Sequence, residues 1–112
     1  MVWRVSGRAT FEALRREARR ARSGPVSAAF TTVDDTSAVR VGYAVSRRVG
    51  SAVVRNRLRR RLRAVVREVE ADIRPGAYLV SAGREACVLR HEELKEKVTR
   101  VMAHASRGES RR

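Results

Sequence analysis

Residues Arg55 to Arg63 read R-N-R-L-R-R-R-L-R, six arginines and one asparagine in nine positions. These residues sit inside a helical period. Val54, Leu58, Leu62, Val65 and Val69 recur every three or four residues, one side of a helix running from about Ala52 to Asp72. Ser51 stands where a capping hydroxyl belongs. At ~100° per residue, Asn56, Arg59, Arg60, Arg63 and Arg67 cover the opposite arc, with Arg55 on the boundary. The fold must bury a narrow apolar stripe while leaving a polycation outside. Arg55, Arg59 and Arg63 are spaced four apart and repel one another. An ordinary solvated face mixes charge signs, yet the first acid after Arg55 is Glu68. A chain that tolerates such repulsion recovers it through a polyanionic ligand. Guanidinium groups give planar, bidentate donors and stack on bases, which suits RNA. The Asn56 amide adds a group able to bond phosphate, ribose or base edges.

The rest of the composition agrees. The formal net charge is +14 over 112 residues, enough for one small domain with a single core. Apolar residues make up 43%, so general disorder is not expected. Lysine occurs only at Lys95 and Lys97. Cys87 is the sole cysteine, which rules out an intrachain disulfide and fits a reducing cytoplasm. No apolar run reaches the ~18 residues of a membrane span. Met1-Val2-Trp3-Arg4 lacks a signal peptide's apolar stretch. The basic helix lacks the Trp and Phe anchors of an interfacial helix, so no membrane partner is expected.

Along the chain, residues 1–9 show no period and are expected to be loose, as is the tail from Ser106 to Arg112. Thr10 can cap a helix over about Phe11 to Arg22, with Phe11, Leu14, Ala18 and Ala21 on one stripe and Gly24-Pro25 as its stop. Val26–Val33 and Val39–Ser46 read as strands around a turn at Asp34–Ser37, together an antiparallel hairpin. In the second strand Val39, Val41, Tyr43 and Val45 share a face. Arg47-Arg48-Val49-Gly50 is a basic loop before the arginine helix. Pro75-Gly76 breaks the chain, Ala77–Ala82 reads as a buried strand, and His91–Ala105 as a final helix with Leu94, Val98, Val101 and Met102 inward. The order is α, two or three β, α, β, α. The arginine helix joins the last two strands, which are expected to be parallel.

Signals for catalysis by the protein itself are poor. His91 and His104 have no metal-spaced partners, Asp34-Asp35 reads as turn chemistry, Cys87 has no base beside it, and no phosphate loop is present. Phe11, Phe30 and Tyr43 are divided between core packing and base stacking.

The segment from Arg40 to Arg63 closely resembles the protein subunit of bacterial ribonuclease P. Ala52, Arg55, Asn56, Arg57, Leu58, Arg59, Arg60, Leu62 and Arg63 stand at the places of that family's signature. The likeness extends from Phe11 through Y-L-V-S-A to L-R-H-E-E-L. It implies an α+β two-layer sandwich, ribosomal protein S5 domain 2-like, with a left-handed β-α-β crossover in place of the usual right-handed one. It also implies an accessory subunit of an endoribonuclease, cytoplasmic, with no stable protein partner required. The partners would be ribonuclease P RNA and precursor tRNA, whose 5′ leader is removed by the RNA with its Mg2+. Carried over, Arg47, Arg48, Arg55, Asn56, Arg57, Arg59, Arg60 and Arg63 would contact the catalytic RNA. Phe11, Arg15 and Phe30 would contact the leader. Arg15 and His91 stand where the family often has aromatics, which makes the leader contacts more ionic.

The rivals are a structural RNA-binding protein of the ribosome, a reader of duplex DNA and a protein-only nuclease. The second lacks helix-turn-helix spacing and the third an acid–base or metal cluster.

Overall fold

The computed structural model describes residues 2–4, 14, 19–32 and 38–107. Five strands form one mixed sheet: β1 (Val2–Arg4), β2 (Arg19–Ser23), β3 (Val26–Thr31), β4 (Val39–Ala44) and β5 (Gly76–Ala82). Helices α1 (Ala52–Val69) and α2 (His91–Ser106) pack on it. The spatial order of the strands is β1-β4-β5-β3-β2. β5 lies in the middle, parallel to β4 and antiparallel to β3. The crossover from β4 through α1 to β5 thus joins parallel neighbours, as the chain pattern led one to expect.

Alternation along the strands divides the sheet into two faces. Ala28 and Phe30 of β3, Val39 and Val41 of β4, and Tyr78, Val80 and Ala82 of β5 face the helices. They meet Leu58, Leu62, Val65, Val66 and Val69 of α1 and Leu94, Val98, Val101 and Met102 of α2. Small or polar residues occupy the other face, where Ala29, Ala77 and Leu79 gather around Leu14. α1 begins as expected: the Ser51 hydroxyl accepts from the Val54 amide at 3.3 Å. It tightens into a 3-10 turn at Glu70–Asp72. At α2 the Glu93 carboxylate accepts from the Arg90 amide at 2.9 Å, closing the first turn. Glu68 ties the helices together, bonded to His91 at 2.7 Å and Lys95 at 3.3 Å.

One knot holds the far edge of the core. Phe30 and Tyr78 are register partners with ring centroids 5.0 Å apart. The Arg74 guanidinium lies 5.5 Å from the Phe30 centroid and donates to the Ser106 carbonyl at 2.6 Å. The Tyr78 hydroxyl donates to the Arg74 carbonyl at 2.6 Å. Gly76 is required here. Its φ is +146°, and an added Cβ would stand 2.4 Å from the Phe30 ring.

Four expectations are corrected. Arg19 to Arg22, assigned to the end of a first helix, lie in the strand Arg19–Ser23. Its lone apolar residue, Ala21, fits a helical stripe as well as a strand, and pairing with β3 decides between them. Gly24-Pro25 is therefore a hairpin turn, with Gly24 at φ +59° as the first position of a type II′ turn needs. β3 and β4 do not pair with each other, because β5 inserts between them. Val2–Arg4, expected to be loose, pairs in parallel with Val39–Val41. Ser106, assigned to the tail, ends α2 and is 3% exposed. The turn at Asp34–Ser37 and the tail beyond Arg107 lie outside the described residues.

Candidate nucleic-acid interface

α1 presents most of its arginines on the side away from the core. Asn56, Arg59, Arg60 and Arg63, with Val53, line one surface depression. Arg59 donates to the Asn56 side-chain oxygen at 2.9 Å, which holds both near the middle of the arc. The Arg63 guanidinium lies 5.6 Å from the ring centroid of Tyr43 on β4. Tyr43 is pushed up to about 12 by burial, against the pull of Arg63 and Arg67, so its hydroxyl stays neutral and able to donate. Arg47 and Arg48 are exposed on a 3-10 turn just before α1. The first turn of α1 carries no acid, so its positive dipole end adds to theirs. Arg55 is half-buried at the boundary, and Arg57 is exposed on the flank it shares with Arg61.

A groove of ≈ 760 Å³ runs over the sheet face away from the helices. Its floor is made of small side chains, Ser27, Ala29, Ala44 and Ser81, beside Leu79. Arg20 and Arg22 flank it from β2, while Tyr43, Arg59 and Glu85 close the end nearest α1. Arg20 donates to the Leu14 carbonyl at 3.0 Å and Arg22 to the Gly24 carbonyl at 3.1 Å, which fixes both side chains along the rim. Arg59 is common to the groove and to the depression on α1. The two surfaces form one continuous path with arginine at their junction.

The structure brings Asn56, Arg59, Arg60 and Arg63 together, with Arg47 and Arg48 just ahead of α1. It does not bring Phe30 into the groove. That side chain is 2% exposed on the helix-facing side, stacked on Tyr78 beneath Arg74, so its assignment to the leader cleft is corrected. Phe11 and Arg15 lie outside the described residues. Sequence reasoning missed the groove residues of β2 and β5. The signal was there in the alternation of small residues at Ser27, Ala29, Gly42, Ala44, Ala77 and Ser81. Arg61 belongs to the basic run but falls outside the arc and the expected RNA contacts. It donates to the carbonyls of Ala86 and Cys87, each at 3.3 Å, and of Leu89.

Among the described residues, no three of His, Cys, Asp and Glu stand close enough to share a metal ion. The groove lining offers a single carboxylate, Glu85, among three arginines. Such a donor set does not suit a resident Mg2+. No described helix is long and apolar enough to cross a membrane.

A mixed sheet with an arginine-faced crossover helix and an arginine-rimmed groove defines a small α+β RNA-binding protein. A family model for ribonuclease P matches residues 2–106. The chain belongs to the ribonuclease P protein family, which supplies the protein component of the endoribonuclease that processes tRNA 5′ ends. The ribonuclease P protein component of Symbiobacterium thermophilum is 43% identical over 67 residues, 59% of this chain and 58% of that protein. That of an Exiguobacterium species is 31% identical over 103 residues, 92% of this chain and 90% of that protein. The ribonuclease P protein of Staphylococcus aureus has the same fold, with a TM-score of 0.80 at 19% identity, covering 92% of this chain and 94% of the other.

Proposed function

We propose that the protein is one cytoplasmic domain that docks α1 on ribonuclease P RNA and receives the 5′ leader of precursor tRNA in the sheet groove. The observation that carries this reading is the junction at Arg59, where the arginine arc and the groove meet. Arg47, Arg48, Arg55, Asn56, Arg57, Arg60 and Arg63 contact the catalytic RNA, and Arg59 serves both surfaces. Phe11 and Arg15 join Arg20 and Arg22 as leader contacts. A floor of small residues lets a single strand lie close to the sheet, held by arginine–phosphate pairs more than by stacking. Hydrolysis belongs to the RNA and the Mg2+ it binds, and no stable protein partner is needed. The protein contributes affinity. A precursor fills the groove and the mature product does not, so binding favours substrate over product.

The test is cleavage of precursor tRNA at low Mg2+ with the protein, a bacterial ribonuclease P RNA, or both. Cleavage at the mature 5′ end only with both present supports the proposal. Cleavage by the protein alone overturns the assignment of chemistry to the RNA. No stimulation by a well-folded protein across several such RNAs moves it to a structural RNA partner, such as that of a ribosomal protein. Shortening the leader to one or two nucleotides removes most of the binding benefit if the groove holds it.

A further inference from the structure

Arg61 stands inside the arginine-rich run, yet it faces neither the depression on α1 nor the groove. Its guanidinium spans three backbone carbonyls, those of Ala86, Cys87 and Leu89. These carbonyls belong to the 3-10 turn Arg84–Val88 and the residue after it. The last carbonyls of a helical turn lack intrahelical donors, although that of Ala86 also accepts from the Leu89 amide at 3.2 Å. The planar guanidinium fork reaches all three from its two terminal nitrogens, a spread that a single ammonium nitrogen does not offer. The same segment is fastened at its other end, where the Gly83 amide donates to the Pro25 carbonyl at 2.8 Å. Gly83, at the second anchor, and Glu85, between the two, both line the groove. One anchor is the β2–β3 hairpin on the groove rim and the other is the helix that carries the arginine arc.

We propose that Arg61 is a positioning residue that sets the groove wall at Gly83–Leu89 relative to α1, and is not itself an RNA ligand. Both of its terminal nitrogens are engaged by the protein, on the flank of α1 that carries Glu68 and away from the arc of Asn56, Arg60 and Arg63. Through this pin the surface that docks on the catalytic RNA is held in register with the surface that holds the leader. A rigid spacing between them makes the two binding events additive on one ribonucleoprotein. The inference rests on the proposed function, because it assumes that the groove takes the leader.

The experiment uses the reconstituted ribonucleoprotein with Arg61→Leu and Arg61→Lys. Two quantities are read: affinity for the RNA subunit, and the ratio of KM values for substrates with a one-nucleotide and a long leader. For Arg61→Leu the expected result is RNA affinity within about twofold of wild type and a long-leader advantage reduced about tenfold, with Arg61→Lys in between. Hydrogen exchange of the 84–89 amides should quicken in Arg61→Leu while that of α1 stays unchanged. Two results overturn the proposal. One is a loss of RNA affinity with the leader ratio preserved, which makes Arg61 a ligand; the other is no change in either quantity. If Arg61→Leu fails to fold, Arg61→Lys decides by the same two criteria. A wild-type protein with no long-leader advantage refutes the groove assignment itself, which separates that failure from this one.

Discussion

Replacing Arg60 and Arg63 by alanine tests the electrostatic core of the proposal. Both side chains are exposed on the arc of α1. The substitution takes away the cation–π pairing of Arg63 with Tyr43, whose ring centroid is 5.6 Å from the guanidinium. Such a pairing at an exposed site contributes about 0.5–1 kcal/mol, small against a total stability of roughly 5–15 kcal/mol. Alanine also favours the helix, so the fold survives and any drop in affinity reports on RNA. With Arg61 committed to the backbone, seven arginines remain for RNA between Arg47 and Arg63. If about six of them pair with phosphates, the slope of log affinity against log salt is about −4 to −5. Removing two brings it to about −3 to −3.5. Between about 50 and about 200 mM salt, wild-type affinity for the RNA subunit should fall about 250- to 1,000-fold, and that of the double variant only about 60- to 130-fold. Filter binding over a salt series, with circular dichroism to check the fold, measures both slopes. Parallel lines for the two proteins would show that neither residue pairs with phosphate. A flat wild-type line would refute electrostatic docking altogether.

Two further outcomes are expected. Gly76→Ala should cost about 2–6 kcal/mol, combining roughly 1–3 for a strained φ and about 1–3 for overpacking against Phe30. The thermal midpoint then drops by about 10 °C or more, and a variant as stable as wild type would refute the tight packing read at Phe30. For Tyr43 the direction follows from its raised value. The unfolded chain ionises first as pH climbs past 10.0, so this stabilisation is complete below that point and is lost toward about 12. Urea midpoints measured from about pH 9 to about pH 11 should fall, and fall less in Tyr43→Phe; identical slopes would place Tyr43 in solvent.

The parts of the fold legible in the sequence were those with strong periodicity or punctuation. α1 was readable because its apolar stripe runs through five turns between Ser51 and Asp72, and β5 because Pro75-Gly76 sets off a short buried run. Partner choice was not readable. β3 and β4 each look like half of a hairpin, and nothing in either says that residues 76–82 will part them. The stretch from Arg19 to Arg22 misled for a related reason, since arginine is a good helix former and only pairing with β3 along the whole segment makes it a strand. In the site, the arc was legible as charge on a helical wheel. The groove was not, because it is built from small side chains of three strands whose adjacency is tertiary. The role of Phe30 failed on a face: its ring faces the helices, and a single aromatic on a strand does not announce which side is dry.

The central strand of the sheet is the last to be made. Until residues 76–82 leave the ribosome, β1 with β4 and β2 with β3 can exist only as two separate ribbons with no strand to join them. A two-stranded ribbon is marginal in water, and α1 at that stage has no Tyr78 or Val80 to rest on. Closure of the sheet is therefore a late and cooperative event that waits on non-local pairing. The polycation of α1 is synthesised before it. In a cell the chain offers RNA its charge first and its shape second, so a nascent copy can be gathered onto RNA by electrostatics while the groove has yet to form.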